Sequence, residues 1–271
     1  MLSDSNARLA SARRLTSRSA RRDAGRFLAE GEPAVTAALG RPGAVVELFA
    51  TAAALSRHGG VAAVAESAGV PVAEVSEKAA AGLSETVSPQ GLVAVCHTID
   101  LPLDEVMGRR PRLVAALVQP RDPGNVGTIL RTADAAGADA VVLAGDSVDI
   151  YNGKTVRATA GSLFHLDVVV GVSAQALGDG GLTVLATTGA GETDLDRLVD
   201  DGTLRQSTLW LFGTEAHGLP ESVQAAADYR VRIPIYGAAE SLNLSAAAAI
   251  CLYASARAQR LDAHGGPVAL R

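Results

Sequence analysis

From residue 113 onward the chain repeats one pattern, a short apolar run followed by a loop and a helix-forming stretch. The runs are 113–118 (Leu-Val-Ala-Ala-Leu-Val), 140–143, 166–170, 183–187, 209–212 and 231–235. They are apolar at nearly every position rather than at alternate ones, so both faces of each strand must be covered. Between them, helices are expected at 123–136 (entered through a loop and closed by Gly137), 153–160, 195–199, 219–227 and 245–261, with a helical turn at 173–177. Buried strands alternating with helices predict an α/β fold: a mostly parallel sheet with helices on both faces. The tail after Leu261 is expected to fray.

Upstream, the elements are shorter and less regular. One arginine-rich helix or helix pair is expected over 5–30, ending near Gly31, then a helix over 34–39 stopped by Gly40 and Pro42. A strand at 44–50, helices at 51–58, 61–67 and 72–80, and a strand at 91–97 complete a smaller α/β domain. Residues 100–112 carry Pro102, Pro111 and charge without periodicity, as a linker does. The expected division is therefore 1–100, a linker at 101–112, and 113–271. There is no internal repeat.

Apolar residues make up 48% of the 271 positions but aromatics only 3%, so the core must be built from Ala, Val and Leu. The net charge of −5 does not announce a nucleic-acid partner. Its distribution says more, because residues 1–30 hold seven arginines against three acids. Arg13, Arg14, Arg21 and Arg22 suit a phosphate backbone, though a solvated helix face has the same composition. Cys96 and Cys251 have the spacing of neither a disulfide framework nor a metal site. A charged N-terminus and the lack of a membrane-length apolar run predict a cytoplasmic protein with no membrane segment and no metal.

Four stretches could carry chemistry. In Gln119-Pro-Arg-Asp-Pro-Gly-Asn-Val-Gly-Thr-Ile-Leu-Arg131 a strand ends in a stiffened, glycine-bearing turn. Asn125 and Arg131, six apart, either face one cleft from loop and helix or serve as a cap and a solvated cation. Arg157, ahead of a run of small residues ending at His165, could hold a phosphate. Gly213-Thr-Glu-Ala-His-Gly218 follows a strand directly, and Glu215 is an isolated carboxylate at that strand's C-terminal end, where open α/β sheets bind ligands. Finally, Ile233-Pro-Ile leads to Ser241-Leu-Asn-Leu-Ser245 at a helix start, where Ser241, Asn243 and Ser245 are caps, ligand contacts or both. A fifth stretch, Gly189-Ala-Gly191-Glu-Thr-Asp194, is most of a dinucleotide fingerprint, but Asp194 replaces its third glycine.

Taken together and in order, Asn125 to Arg131, Phe212 to Gly218 and Ile233 to Ser245 resemble the three motifs of the SpoU (TrmH-like) branch of the SPOUT RNA methyltransferases. The resemblance covers about residues 112–260, and 5–98 are similar, more loosely, to the substrate-binding domain many of these enzymes carry. It implies S-adenosylmethionine as cofactor and methyl donor, and as acceptor a ribose 2′-hydroxyl of structured RNA. The separate first domain favours 23S ribosomal RNA over transfer RNA. A trefoil knot made by the last strand, loop and helix is also implied, as is a homodimer with catalytic residues near its interface. Asn125, Arg131, Glu215, Ser241 and Asn243 match catalytic positions, and Gly213, Ile233, Leu242 and Thr187 cofactor positions. RNA contacts would come from Arg13, Arg14, Arg21, Arg22 and Arg157. The competing expectations are a non-catalytic RNA-binding protein of the same fold, and a nicotinamide-dependent oxidoreductase built on the Gly189 stretch.

Overall fold

The computed structural model describes residues 2–178 and 180–261; the tail after Leu261 lies outside them. In chain order the elements of the first half are α1 (Ala7–Arg14), α2 (Arg18–Ala24), β1 (Arg26–Glu30), α3 (Glu32–Gly40), β2 (Val45–Ala50), α4 (Ala52–Arg57), α5 (Gly59–Ser67), β3 (Val72–Glu74), α6 (Glu77–Ala81) and β4 (Leu92–His97). The second half adds α7 (Leu103–Gly108), β5 (Leu113–Val118), α8 (Pro123–Ala136), β6 (Ala140–Ala144), α9 (Gly153–Ala158), β7 (Asp167–Val172), β8 (Thr183–Thr187), β9 (Thr193–Asp194), α10 (Leu195–Asp200), β10 (Thr208–Phe212), α11 (Glu221–Ala225), β11 (Tyr229–Arg232) and α12 (Leu244–Gln259).

The chain divides into two compact units. The first runs to Ile99 and takes in Asp149–His165 as well. Its sheet has the order β1-β4-β2-β3. Two features here escape the sequence pattern. Residues 26–30 are a strand paired antiparallel with β4, not the end of a helix. Gly25, left-handed at φ 58°, closes α2 and releases the chain into that strand. Residues 72–74 likewise pair with β2, and Ser76 caps only the short α6 that follows. Strand alternation then sorts side chains to two faces. Leu28 joins Leu9, Leu15, Phe49 and Val93 in one core, while Phe27 meets Tyr151 and Phe164 at ring-centroid distances of 4.6 and 5.9 Å. Periodicity alone could not have assigned 149–165 to this unit, because the aromatic partners of Phe27 lie far along the chain.

The second unit holds Asp100–Val148 and the chain from Leu166 onward. Its sheet has the order β7-β6-β5-β10-β8-β11-β9, and every pairing in it is parallel. The stretch expected as a linker is instead structured: α7 packs Val106 into the core and Asp100 bridges to Val168. One sheet face buries Val114, Ala116, Val142 and Leu211. The other lies under α12, where Ser255 accepts a 2.9 Å hydrogen bond from Trp210 Nε1. Small residues on α12 let it lie close to the strands. No helix among the described residues is long and apolar enough to cross a membrane.

The glycine-rich stretch after β8 has a packing purpose. A Cβ on Gly191 would sit 2.7 Å from Arg230 O and 2.8 Å from Arg232 N, both backbone atoms of β11. Asp194, in the place of a third fingerprint glycine, flanks α10 and accepts a 2.5 Å hydrogen bond from Arg232 Nε. That bond holds the Asp194 carboxyl below its ordinary range, and a backbone hydrogen bond aided by Arg230 does the same for Glu192. The two ion pairs clasp β9 to β11. Replacing Gly191 by alanine should therefore push β11 aside and destabilise the unit by about 2–3 kcal/mol. An unchanged denaturant midpoint would contradict this.

Candidate active site

The site is assembled at the C-terminal ends of β5, β8, β10 and β11. After β5, the Asp122 side chain caps α8, accepting from Gly124 N at 2.5 Å and Asn125 N at 3.3 Å, with Pro123 in the first turn. The capping role goes to Asp122, which leaves the Asn125 side chain available. Asn125 and Arg131 are both helical, so six residues place them about 9 Å apart along the axis and on different faces. Arg131 is exposed and makes no hydrogen bond or ion pair among the described residues. The structure thus does not join it to Asn125.

It does join Asn125 to the other two stretches. Asn125 Nδ2 donates to Glu215 Oε1. Its Oδ1 accepts from Ser245 Oγ at 2.9 Å and from Asn243 Nδ2 at 3.4 Å. One amide therefore links α8, the 213–218 loop and the start of α12, and its orientation follows from a carboxylate on one side and two donors on the other. Asn243 caps α12, its Oδ1 accepting from Ser245 N at 2.8 Å. Ser245 is the residue sequence reasoning undervalued: it reads as a helix cap, yet it is buried and holds Asn125. No local pattern distinguishes the two roles.

The 213–218 loop is a closed turn. Thr214 N donates to Gly218 O at 3.1 Å, Gly218 N donates to Thr214 O at 2.9 Å, and Gly218 is left-handed at φ 65°. Gly213 enters the turn so close to its exit that an added Cβ would collide with the Gly218–Leu219 backbone. Beside the loop lies a cavity of about 330 Å³ whose walls include Thr187, Gly213, Glu215, Ile233, Ser241 and Leu242. All four cofactor positions expected from the sequence meet there, with two of the catalytic ones. Thr187 contributes wall rather than a free hydroxyl, since its Oγ1 donates to Leu211 O at 2.8 Å. Gly189, Leu244 and Ala247 also line the cavity. A larger depression of about 750 Å³ shares Gly189, Ile233, Ile235 and Glu240 with it. Its remaining walls carry Asp194, Asp196, Asp200 and Asp201, and none of the Asn125 network lines it.

The arginines expected to bind RNA fare unevenly. Arg14 and Arg22 are exposed and Arg13 is half-buried, donating to Asp4 O at 3.2 Å. Arg21 has a structural role instead. It is buried, with Nη2 2.6 Å from Asp149 Oδ2 and Nη1 donating to Leu15 O and Thr16 O, which leaves its guanidinium no face for a phosphate. Arg157 is largely covered and donates to buried Glu30 at 3.3 Å. Arg21 belongs to the first unit's core, where a buried charge must have a partner, whereas Arg157 is half-buried and pairs with a buried carboxylate. Burial also pushes the thiols of Cys96 and Cys251 far up. No group of metal-ligating side chains occurs among the described residues.

Comparison with known proteins matches two successive stretches of the chain. The profile of the SpoU rRNA Methylase family matches residues 112–253, and that of the MRM3-like substrate binding domain matches 6–94. The chain is 36% identical over 230 residues to 23S rRNA (guanosine(2553)-2′-O)-methyltransferase RlmP of Bacillus subtilis, covering 84% of this chain and 87% of that one. Among solved structures, the AdoMet-bound rRNA methyltransferase of Sinorhizobium meliloti superposes with a TM-score of 0.80 at 32% identity, over 95% of this chain and 97% of that one. The SpoU methyltransferase AviRb of Streptomyces viridochromogenes, in complex with AdoMet, gives 0.78 at 30% identity, over 93% and 98%. With the motif segments converging on one cavity and both units matched along their length, this chain belongs to the SpoU rRNA methylase family.

Proposed function

We propose that the protein transfers a methyl group from S-adenosylmethionine to a ribose 2′-hydroxyl of 23S ribosomal RNA. The observation that carries this reading is the convergence of Asn125, Glu215, Asn243 and Ser245, from three separate segments, beside one cavity. The cavity's residues fit the cofactor. Its volume of about 330 Å³ is that of a small-molecule site. Ile233, Leu242, Leu244 and Ala247 offer an apolar slot for a flat base, and the carboxylates of Glu215 and Glu240 suit a cationic ligand. S-adenosylmethionine supplies a methyl already activated as a sulfonium electrophile.

The protein's own task is to hold the acceptor hydroxyl in line at near-attack distance. Asn125 fixes Glu215 at the cavity wall. Ser241 and Asn243 offer polar groups at the α12 N-terminus, where a phosphate or alkoxide is favoured. Arg131 stabilises the developing alkoxide or the adjacent phosphate. RNA affinity comes from exposed Arg14 and Arg22, with half-buried Arg13 beside them, in the first unit. The relatives' rRNA substrates favour ribosomal over transfer RNA. The reading extends to a homodimer, supported by exposed Ile250 and Tyr253 one turn apart on α12, and to a knot in which 233–259 threads the second unit.

Mapping 2′-O-methylation in ribosomal and transfer RNA from cells with and without this protein tests the reading. One 23S ribose should lose its methyl in the deletion strain and regain it on complementation. Identical maps, or calorimetry showing NAD bound in place of S-adenosylmethionine, would overturn it.

A further inference from the structure

Beyond the cofactor cavity, a second cavity of about 440 Å³ lies along the 213–218 loop, lined by Gln119, Arg121, Thr214, Glu215, His217 and Pro220 among others. It shares Thr214, Glu215 and Gly218 with the first. Glu215 therefore borders both spaces. The backbone at its edge is strained. Gln119 has φ 52°, a left-handed conformation that is costly for a residue with a side chain. The other two such residues among those described, Arg110 and Ala160, follow helix ends, where a left-handed residue closes the last turn. Gln119 follows a strand.

The Gln119 backbone N–H donates to Ala144 O at 2.8 Å, but no bond of its side chain accounts for that strain. Gln119 is exposed, and its side-chain amide has no hydrogen-bond partner among the described residues. The neighbouring loop is shaped around it: a Cβ on Gly145, itself at φ 72°, would lie 2.9 Å from Gln119 Cγ. Among the described residues the His217 side chain is likewise exposed without a partner, and Arg121 has only a 2.8 Å surface pair with Asp146. A chain that holds an unpaired amide in a costly conformation at a cavity mouth has a use for it.

We propose that this cavity receives the base of the acceptor nucleotide and that Gln119 reads its edge. The inference rests on the methyltransferase reading. A ribose whose hydroxyl lies near Glu215 must project its base away from the cofactor, and this is the adjoining space. A glutamine amide presents one acceptor and two donors, enough to distinguish the polar edges of unpaired bases. Arg121 and His217 add planar groups on which such a base stacks. The Glu215 carboxylate in the lining argues against a bare phosphate as occupant.

The test uses the full-length protein and an unmodified 23S transcript. Gln119→Gly removes the amide and relieves the strain together, since glycine takes φ 52° freely. The variant should unfold at the same or a higher temperature and bind S-adenosylmethionine within about twofold of wild type. Its kcat/KM for RNA should nonetheless fall at least tenfold, and its selectivity among transcripts with the acceptor base replaced in turn should shrink by a similar factor. Undiminished kcat/KM with unchanged base selectivity, while wild type remains active, would overturn this inference alone. A wild-type protein that methylates no RNA would overturn both it and the reading beneath it.

Discussion

Gly213→Ala should abolish binding of S-adenosylmethionine and lower the melting temperature by about 6–12 °C. The new methyl group would occupy the position of the Gly218–Leu219 backbone, which no rotamer change can clear. Relief requires opening the turn held by the two Thr214–Gly218 hydrogen bonds, which face each other at 3.1 and 2.9 Å. That opening carries Glu215 away from Asn125 and removes one cavity wall. The cost should exceed about 3 kcal/mol, at the severe end for a single substitution. In a unit of this size each kcal/mol shifts the melting point by about 2–4 °C. Calorimetric titration and differential scanning calorimetry read the two effects separately. Native-like cofactor affinity in this variant would mean that the loop does not form the cofactor wall.

Arg131→Ala should lower kcat about 100- to 1,000-fold, the range seen when one preorganised electrostatic contact to a developing charge is removed. Cofactor affinity and melting temperature should hardly move, because the side chain is exposed and supports no packing or hydrogen bond among the described residues. A guanidinium keeps its proton at neutral pH, so its proposed work is charge stabilisation rather than proton removal. Arg131→Lys separates charge from geometry. Lysine keeps the charge but lacks the planar fork, and should recover only a small part of the loss. Single-turnover methylation of the 23S transcript measures this directly. Near-full activity in the lysine variant would remove the geometric role and leave charge alone; near-full activity in the alanine variant would remove both.

Much of the second unit was legible because its strands are buried on both faces and must be apolar throughout. Six runs announced a parallel covered sheet, and the structure contains it. The first unit was less legible. Residues 26–30 continue an arginine-rich helical composition, and only pairing with β4 makes them a strand. Residues 72–80 hold a strand followed by a helix, each too short to establish a period. The same holds for α7, whose six residues look like a linker until Val106 is seen in the core.

For the site, the order of residues supplied the inventory, and the tertiary structure supplied the assignments. Asn125, Glu215, Ser241 and Asn243 stand out as polar groups at strand ends and helix starts, where ligands bind in this class of fold. Which of them meet depends on contacts made between segments 90 to 120 residues apart in the chain. The caps of both site helices, Asp122 for α8 and Asn243 for α12, were settled by geometry, and so was the turning of Ser245 inward to Asn125. Arg21 and Arg157 show the converse. Composition marks them as surface cations, but Asp149 draws Arg21 into a core and Glu30 holds Arg157 half-buried. The sequence by itself determined the sheet and the chemical groups at its edge, because those follow from local periodicity and residue type. Only the tertiary structure decided which groups share a cavity, because hydrogen bonds between distant segments leave no local trace.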